Sequence, residues 1–159
     1  MDNVNVLRVG FMAPDFSLSD TQGRSFPLKE NLGDAFLAIC FIPAGPGARV
    51  KGILKELSGG LPASATGIPV RVVGISPERV NLLSKLGEEL KVGFRLLSDG
   101  RLTVASRYYV IDTSSFQPSV HFTVFVVDDG GIIRYRTGEV PGVSVFSMER
   151  LRSEISGLI

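Results

Sequence analysis

Residues 35–42, AFLAICFI, form the longest apolar run of the chain and show no alternation of apolar and polar positions, the pattern of a strand buried on both faces. Pro43 ends it. The Pro and Gly turn that follows opens into a helix whose apolar stripe is Val50, Ile53, Leu54 and Leu57, and Gly59 with Gly60 stops that helix. Residues 69–75, PVRVVGI, predict a second buried strand. Ser76 and Pro77 read as the next helix start, since serine can cap an exposed N–H and proline has none to satisfy. Val80, Leu83, Leu86 and Leu90 line one side of that helix. A third strand is predicted at residues 94–97, and SDGRLTVASRYYV returns to helix after the Asp99 and Gly100 turn. FTVFVVDDGGIIRYRTG predicts a β-hairpin turning at residues 129–131, where glycine tolerates a positive φ. The last helix starts near Ser147, with Met148, Leu151, Ile155 and Leu158 toward the sheet. Ahead of all these, residues 16–18 and 25–28 predict two small strands joined by the polar turn SDTQGR, a hairpin covering one end of a larger sheet.

Strand, helix, strand, helix, then hairpin and closing helix predict a layered α/β sandwich with crossover helices on both sheet faces and one parallel βαβ unit. The order is similar to that of the thioredoxin-like fold, as a three-layer sandwich with an added N-terminal β-hairpin. Residues 61–68, LPASATGI, are a loop too short to link domains, and 159 residues suit one domain spanning 1–159. Seventeen Lys and Arg balance sixteen Asp and Glu for a net charge of +1, so no global field draws the chain to nucleic acid or an acidic membrane. No apolar run approaches the length of a membrane span. One cysteine, Cys40, has no internal disulfide partner, which fits a reducing compartment, and a cytoplasmic location is expected. A single histidine, His121, without a cysteine or acidic cluster beside it makes a poor metal site, so neither a metal nor another cofactor is expected.

Four segments in a fixed order carry a resemblance: VGFMAPDFSLSDTQGRSFPL, FLAICFIP, VRVVGISPE with the helix after it, and FRLLSDGRLTVASRYYV leading to FTVFVVDDGGIIRYRTG. Together they span roughly residues 9–138, and the chain resembles the peroxiredoxins of the AhpC/TSA family, closest to the small bacterioferritin-comigratory type. The resemblance implies a thioredoxin-like fold and a cysteine in the first turn of the helix after the FxP strand, with a threonine and an arginine holding the peroxide. Helix N–H groups and a guanidinium would favour the thiolate nucleophile, and donors aimed at the peroxide oxygens would stabilise charge as the O–O bond breaks. In FIPAGPGARVKG, the match of Pro46 and Gly47 to the family's Pro–Gly–Cys places Ala48 at the nucleophile. The turn from Pro43 is then about two residues shorter, with no threonine before Pro46. The arginine position before the strand falls on Phe122, flanked by His121 and Thr123. Three departures at one pocket are more than a single cysteine-to-alanine replacement accounts for.

The remaining chemistry is sparse. Cys40, inside the apolar strand, reads as an inert core thiol, or else as the nucleophile of an atypical thiol-dependent oxidoreductase. Arg49 at the helix start and His121 are candidates for a small-anion site, against the simpler reading of a solvated surface and a backbone-bonded histidine. The GPG run lacks the spacing of a nucleotide-binding loop. If Phe11, Pro43, Pro46 and Phe122 cluster at one edge, they offer a homodimer surface or a site for an unknown protein or small-molecule partner. The expected function is a peroxiredoxin-like scaffold with a structural, binding or regulatory role and no peroxidase activity. The alternatives are the Cys40-dependent enzyme and the anion-binding module.

Overall fold

The computed structural model describes residues 7–114, 116–140 and 144–159. Its centre is a five-stranded sheet in the order β5-β4-β3-β8-β9, with β3 Phe36–Phe41, β4 Val70–Ser76, β5 Arg95–Ser98, β8 Thr123–Val127 and β9 Ile133–Gly138. Strands β3, β4 and β5 run parallel, and β8 and β9 are antiparallel additions on the other side of β3. The apolar run of β3 is the middle strand. Leu37, Ile39 and Phe41 point to one face and Phe36, Ala38 and Cys40 to the other, and every one of them is buried. Alternation was invisible in the sequence because both faces demand apolar side chains.

Both crossover helices, α1 Ala48–Ser58 and α2 Val80–Leu90, lie on the Cys40 face together with α4 Met148–Ser156. The chain steps β3, β4, β5 in one direction, and right-handed crossovers then place successive helices on the same side. This corrects the expectation that those helices divide between the faces around one βαβ unit: there are two parallel units. The opposite face is covered by α3 Thr103–Arg107 and by the N-terminal hairpin of β1 Ser17–Ser19 and β2 Ser25–Pro27. An aromatic cluster of Phe16, Phe26, Phe41, Tyr108 and Phe125 fills that layer. Helix and sheet thus form three layers, the thioredoxin-like arrangement.

Some boundaries differ from the sequence expectation. Ser76 does not cap α2, which starts at Val80. It remains in the sheet opposite Ser98, and its hydroxyl accepts from the Glu78 N–H at 3.1 Å, holding a turn between strand and helix. The helix expected through residues 98–110 lasts five residues. Asp99 caps it by accepting from the N–H groups of Val104 and Ala105, and Tyr109 already has φ of 55°. A small pair, β6 Ile111–Asp112 with β7 Ser119–Val120, follows.

Candidate functional site

The turn after β3 leads to the start of α1, the place where the resemblance puts the nucleophile. Gly45 takes φ of 57° in this turn, and its N–H donates to Glu78 Oε2 at 3.0 Å, tying the turn to the segment before α2. Pro43 and Pro46 are half-buried, Gly47 is the N-cap residue and Ala48 is the first helical residue, exposed to solvent. No side chain caps α1. The turn therefore delivers the helix start to the surface, with the methyl group of Ala48 at the position to which the resemblance assigns the nucleophile. Methyl carbon offers neither a lone pair nor an ionisable proton.

Phe122 lies just ahead of β8 and is buried on the same sheet face as Cys40. Its ring meets that of Phe146 edge-on, 5.2 Å between centroids. Where the resemblance calls for a guanidinium, the chain has an aromatic pair that excludes water and donates nothing. Arg136 does not replace it: the guanidinium carbon stands 5.6 Å over the ring of Phe125, on the opposite face of the sheet. Burial lowers the Arg136 pKa, and its Nε has no hydrogen-bond partner among the described residues.

Arg49, in the first turn of α1, reaches a carboxylate ninety positions away in sequence. Its Nε and Nη2 donate to Glu139 Oε1 at 3.0 and 2.7 Å, and Nη2 also donates to the Phe146 carbonyl at 3.0 Å. The same Oε1 accepts from the Phe146 N–H at 2.8 Å, and the Glu139 N–H donates to the Phe122 carbonyl at 2.8 Å. One residue thereby joins the α1 start, Phe122 and the lead-in to α4. The bond from Arg49 holds the Glu139 carboxyl below its ordinary value, and Glu139 in turn raises Arg49. Neither Glu139 nor Phe146 stood out in the sequence, because nothing local marks a contact of such separation. Arg49, entered above as a candidate anion ligand, faces a carboxylate of its own chain. His121 likewise lies with Nε2 3.9 Å from Asp112 Oδ2, and its carbonyl accepts from the Thr123 hydroxyl at 3.1 Å.

Cys40 is 0% exposed, between Gly74 of β4 and Val124 of β8, and desolvation drives its thiol pKa far upward. At neutral pH it is a thiol, not the thiolate that attacks peroxide. The edge proposed from Phe11, Pro43, Pro46 and Phe122 does not exist. Phe122 is buried, and Phe11 lies beside Ile133 at the Val127 end of β8, whereas Pro43 follows β3 at the Thr123 end. Among the described residues no group of three or more His, Cys, Asp and Glu gathers to hold a metal, and no helix is long and apolar enough to cross a membrane.

Comparison with known proteins places this geometry. Residues 9–136 match the model of the AhpC/TSA family. Peroxiredoxin Bcp of Escherichia coli K12 is 30% identical over 139 residues, covering 83% of this chain and 86% of that protein. Among solved structures, peroxidoxin BcpB from Mycobacterium tuberculosis superposes with a TM-score of 0.77 at 24% identity, over 94% of this chain and 96% of the other. A peroxiredoxin-like protein from Aquifex aeolicus gives 0.77 at 18% identity, over 95% and 87%. The matched span, the identity and the superposed fold agree: the chain belongs to the AhpC/TSA family, as a peroxiredoxin of the Bcp type with a thioredoxin-like fold.

Proposed function

We propose that this chain is a peroxiredoxin-fold protein without peroxidase activity, working in the cytoplasm as a structural, binding or regulatory scaffold. One observation carries the reading: the helix start that would bear the thiolate bears Ala48, while the only thiol, Cys40, is sealed inside the sheet. Reduction of a peroxide needs a nucleophilic sulfur that can reach the O–O bond and become a sulfenate as water or an alcohol leaves. Buried among Ala38, Ile42, Leu54 and Val124, the Cys40 sulfur meets neither requirement. The Phe122 and Phe146 pair further removes the donor that would stabilise the leaving oxygen. A lone thiol without a disulfide partner suits the cytoplasm.

Folded, reduced protein exposed to hydrogen peroxide and to an organic hydroperoxide tests the reading, with intact mass, sulfenic-acid trapping and peroxide consumption followed together. The expected result is an unchanged mass at Cys40 and peroxide loss no faster than in buffer with the same reductant. Rapid oxidation of Cys40 coupled to peroxide turnover would overturn it and make Cys40 the nucleophile of an atypical thiol peroxidase.

A further inference from the structure

Beyond Ser98, the last residue of β5, the chain borders a cavity of about 360 Å³, within the size range of small-ligand sites. It lies past the carboxyl end of a parallel strand, where open α/β sheets bind their ligands. Phe16, Leu18 and Val104 supply its apolar wall, and Arg101, Thr103 and Arg107 line it with polar groups. The turn that carries Arg101 is held firmly. The Leu102 N–H donates to the Asp99 carbonyl at 2.9 Å, and Leu102 takes φ of 59°, a left-handed conformation that leucine rarely adopts. Such a residue persists only where its surroundings hold it, and outliers of this kind gather at binding sites. Here the Leu102 side chain packs on the core, with Arg101 and Thr103 on either side of it in the lining of one cavity.

The charges in this lining do not cancel. Asp99, its one carboxylate among the described residues, is buried, and both oxygens are occupied, accepting from the Val104 and Ala105 N–H groups at 3.2 and 2.9 Å. Arg107 Nη1 donates to the Asp15 carbonyl at 3.2 Å, which anchors the guanidinium and leaves Nε and Nη2 unused, while the Asp15 carboxylate lies 3.9 Å from Lys29 Nζ. Arg101 makes no hydrogen bond or ion pair among the described residues, and the Thr103 hydroxyl none either. Two exposed guanidiniums without a carboxylate thus share one cavity, and a guanidinium's parallel N–H groups match the oxygens of a phosphate. Since Asp99 already takes the N–H groups that open α3, the donors left for a ligand are side chains. We infer that this cavity binds the phosphate group of a small phosphomonoester, with Arg101, Arg107 and Thr103 donating to its oxygens and its organic part lying against Leu18. The site uses neither Cys40 nor Ala48, so it stands whether or not the peroxidase reaction is lost.

Phenyl phosphate and inorganic phosphate, titrated separately into the isotope-labelled full chain at low chloride and about pH 7.5, where a phosphomonoester is mostly dianionic, test the site by amide chemical shifts. The expected result is saturable movement of the Gly100, Arg101 and Thr103 amides with a Kd at or below about 1 mM, phenyl phosphate binding the more tightly. Arg101→Gln and Arg107→Gln each weaken binding at least about fivefold, with unchanged circular dichroism and Tm. Because Arg101 has no polar partner in the protein, affinity lost in Arg101→Gln reports the ligand and not the fold. No saturable shift up to about 20 mM of either compound would overturn the inference. So would binding that survives in the double variant, since the anion would then sit elsewhere. Tighter binding of inorganic phosphate than of phenyl phosphate would overturn the assignment to a monoester.

Discussion

At the scale of single residues, exposure and sulfur chemistry are separated in this chain. The first position of α1 is open to solvent and carries alanine, while the thiol is buried in β3 within an apolar cluster. Moving the sulfur tests this division. Ala48→Cys puts a thiol at a helix N-terminus, where backbone N–H groups favour the thiolate. In native protein it is expected to react with a disulfide reagent such as DTNB within minutes, while Cys40 reacts only on unfolding. Peroxide reduction by that variant is expected to stay slow, because Phe122 still supplies no donor. Equal labelling of the wild-type and variant proteins in the native state would refute the burial argument. A second residue-scale expectation concerns Gly74, paired with Cys40 across β3 and β4. A Cβ there would stand 2.8 Å from Leu96 Cδ2 and 2.9 Å from Ile42 Cδ1. Gly74→Ala is expected to destabilise the protein by about 1–3 kcal/mol in urea unfolding, the usual cost of overpacking. No change would mean that those two side chains have room to move.

Between elements, the contacts that shape the region around the start of α1 are polar and long-range. Glu139 follows β9, yet it fixes the first turn of α1 through Arg49 and the approach to α4 through the Phe146 N–H. Replacing Glu139 by Ala removes the acceptor shared by those donors. The amide of Phe146 is then expected to lose its protection from hydrogen exchange, while amides of β3 keep theirs; retained protection at Phe146 would show that packing on Phe122 alone holds the segment. The next element owes its start to one hydroxyl: Ser147 caps α4 by accepting from the Arg150 N–H at 3.1 Å. Ser147→Ala is expected to cost about 1 kcal/mol in the same urea experiment. By contrast α1 has no side-chain cap, so its start is held by its tertiary ties.

For the whole molecule, the titrating groups set limits on both sides of neutrality. Asp20 is buried; although burial opposes its charge, hydrogen bonds from the Arg24 and Gln22 N–H groups and from Arg95 prevail and lower its pKa. Glu139 is lowered by Arg49. Carboxyls depressed on folding contribute stability that is complete above their unfolded values, near 4, and is lost as pH falls through the folded values. On the alkaline side Cys40 and Tyr108 are both raised by burial, from ordinary values of 9.0 and 10.0. Their stabilisation is complete below those values and drains away above them, as the unfolded chain ionises and the folded one does not. The expected Tm profile is flat near neutrality and falls below about pH 4 and above about pH 9. Each alkaline group contributes a slope of about 1.4 kcal/mol per pH unit beyond its unfolded pKa. Cys40→Ala is expected to move the onset of the alkaline decline from about pH 9 toward about pH 10. An unchanged alkaline limb in that variant would show that the thiol ionises without unfolding.

Much of the architecture was legible from patterning alone. The doubly buried β3, the helix stripes of α1, α2 and α4 and the Gly131 turn all follow from local rules: which side chains avoid water, which residues cap or stop a helix, and which tolerate a positive φ. The absence of a cysteine at position 48 and of an arginine at 122 was likewise written in the chain, as was the presence of one thiol. Local rules failed where two parts of the chain compete for the same atoms. Ser76 is a sound cap by its neighbours, but pairing with Ser98 keeps it in the sheet. Arg49 looked like a free cation until Glu139 met it, and Phe11 seemed to share an edge with Phe122 until the antiparallel run of β8 carried them to opposite ends. Periodicity records each residue's preference for water or oil, which is a property of the side chain. Which carboxylate meets which guanidinium, and which apolar groups remain uncovered, depend on strand order and crossover hand, and those belong to the chain as a whole.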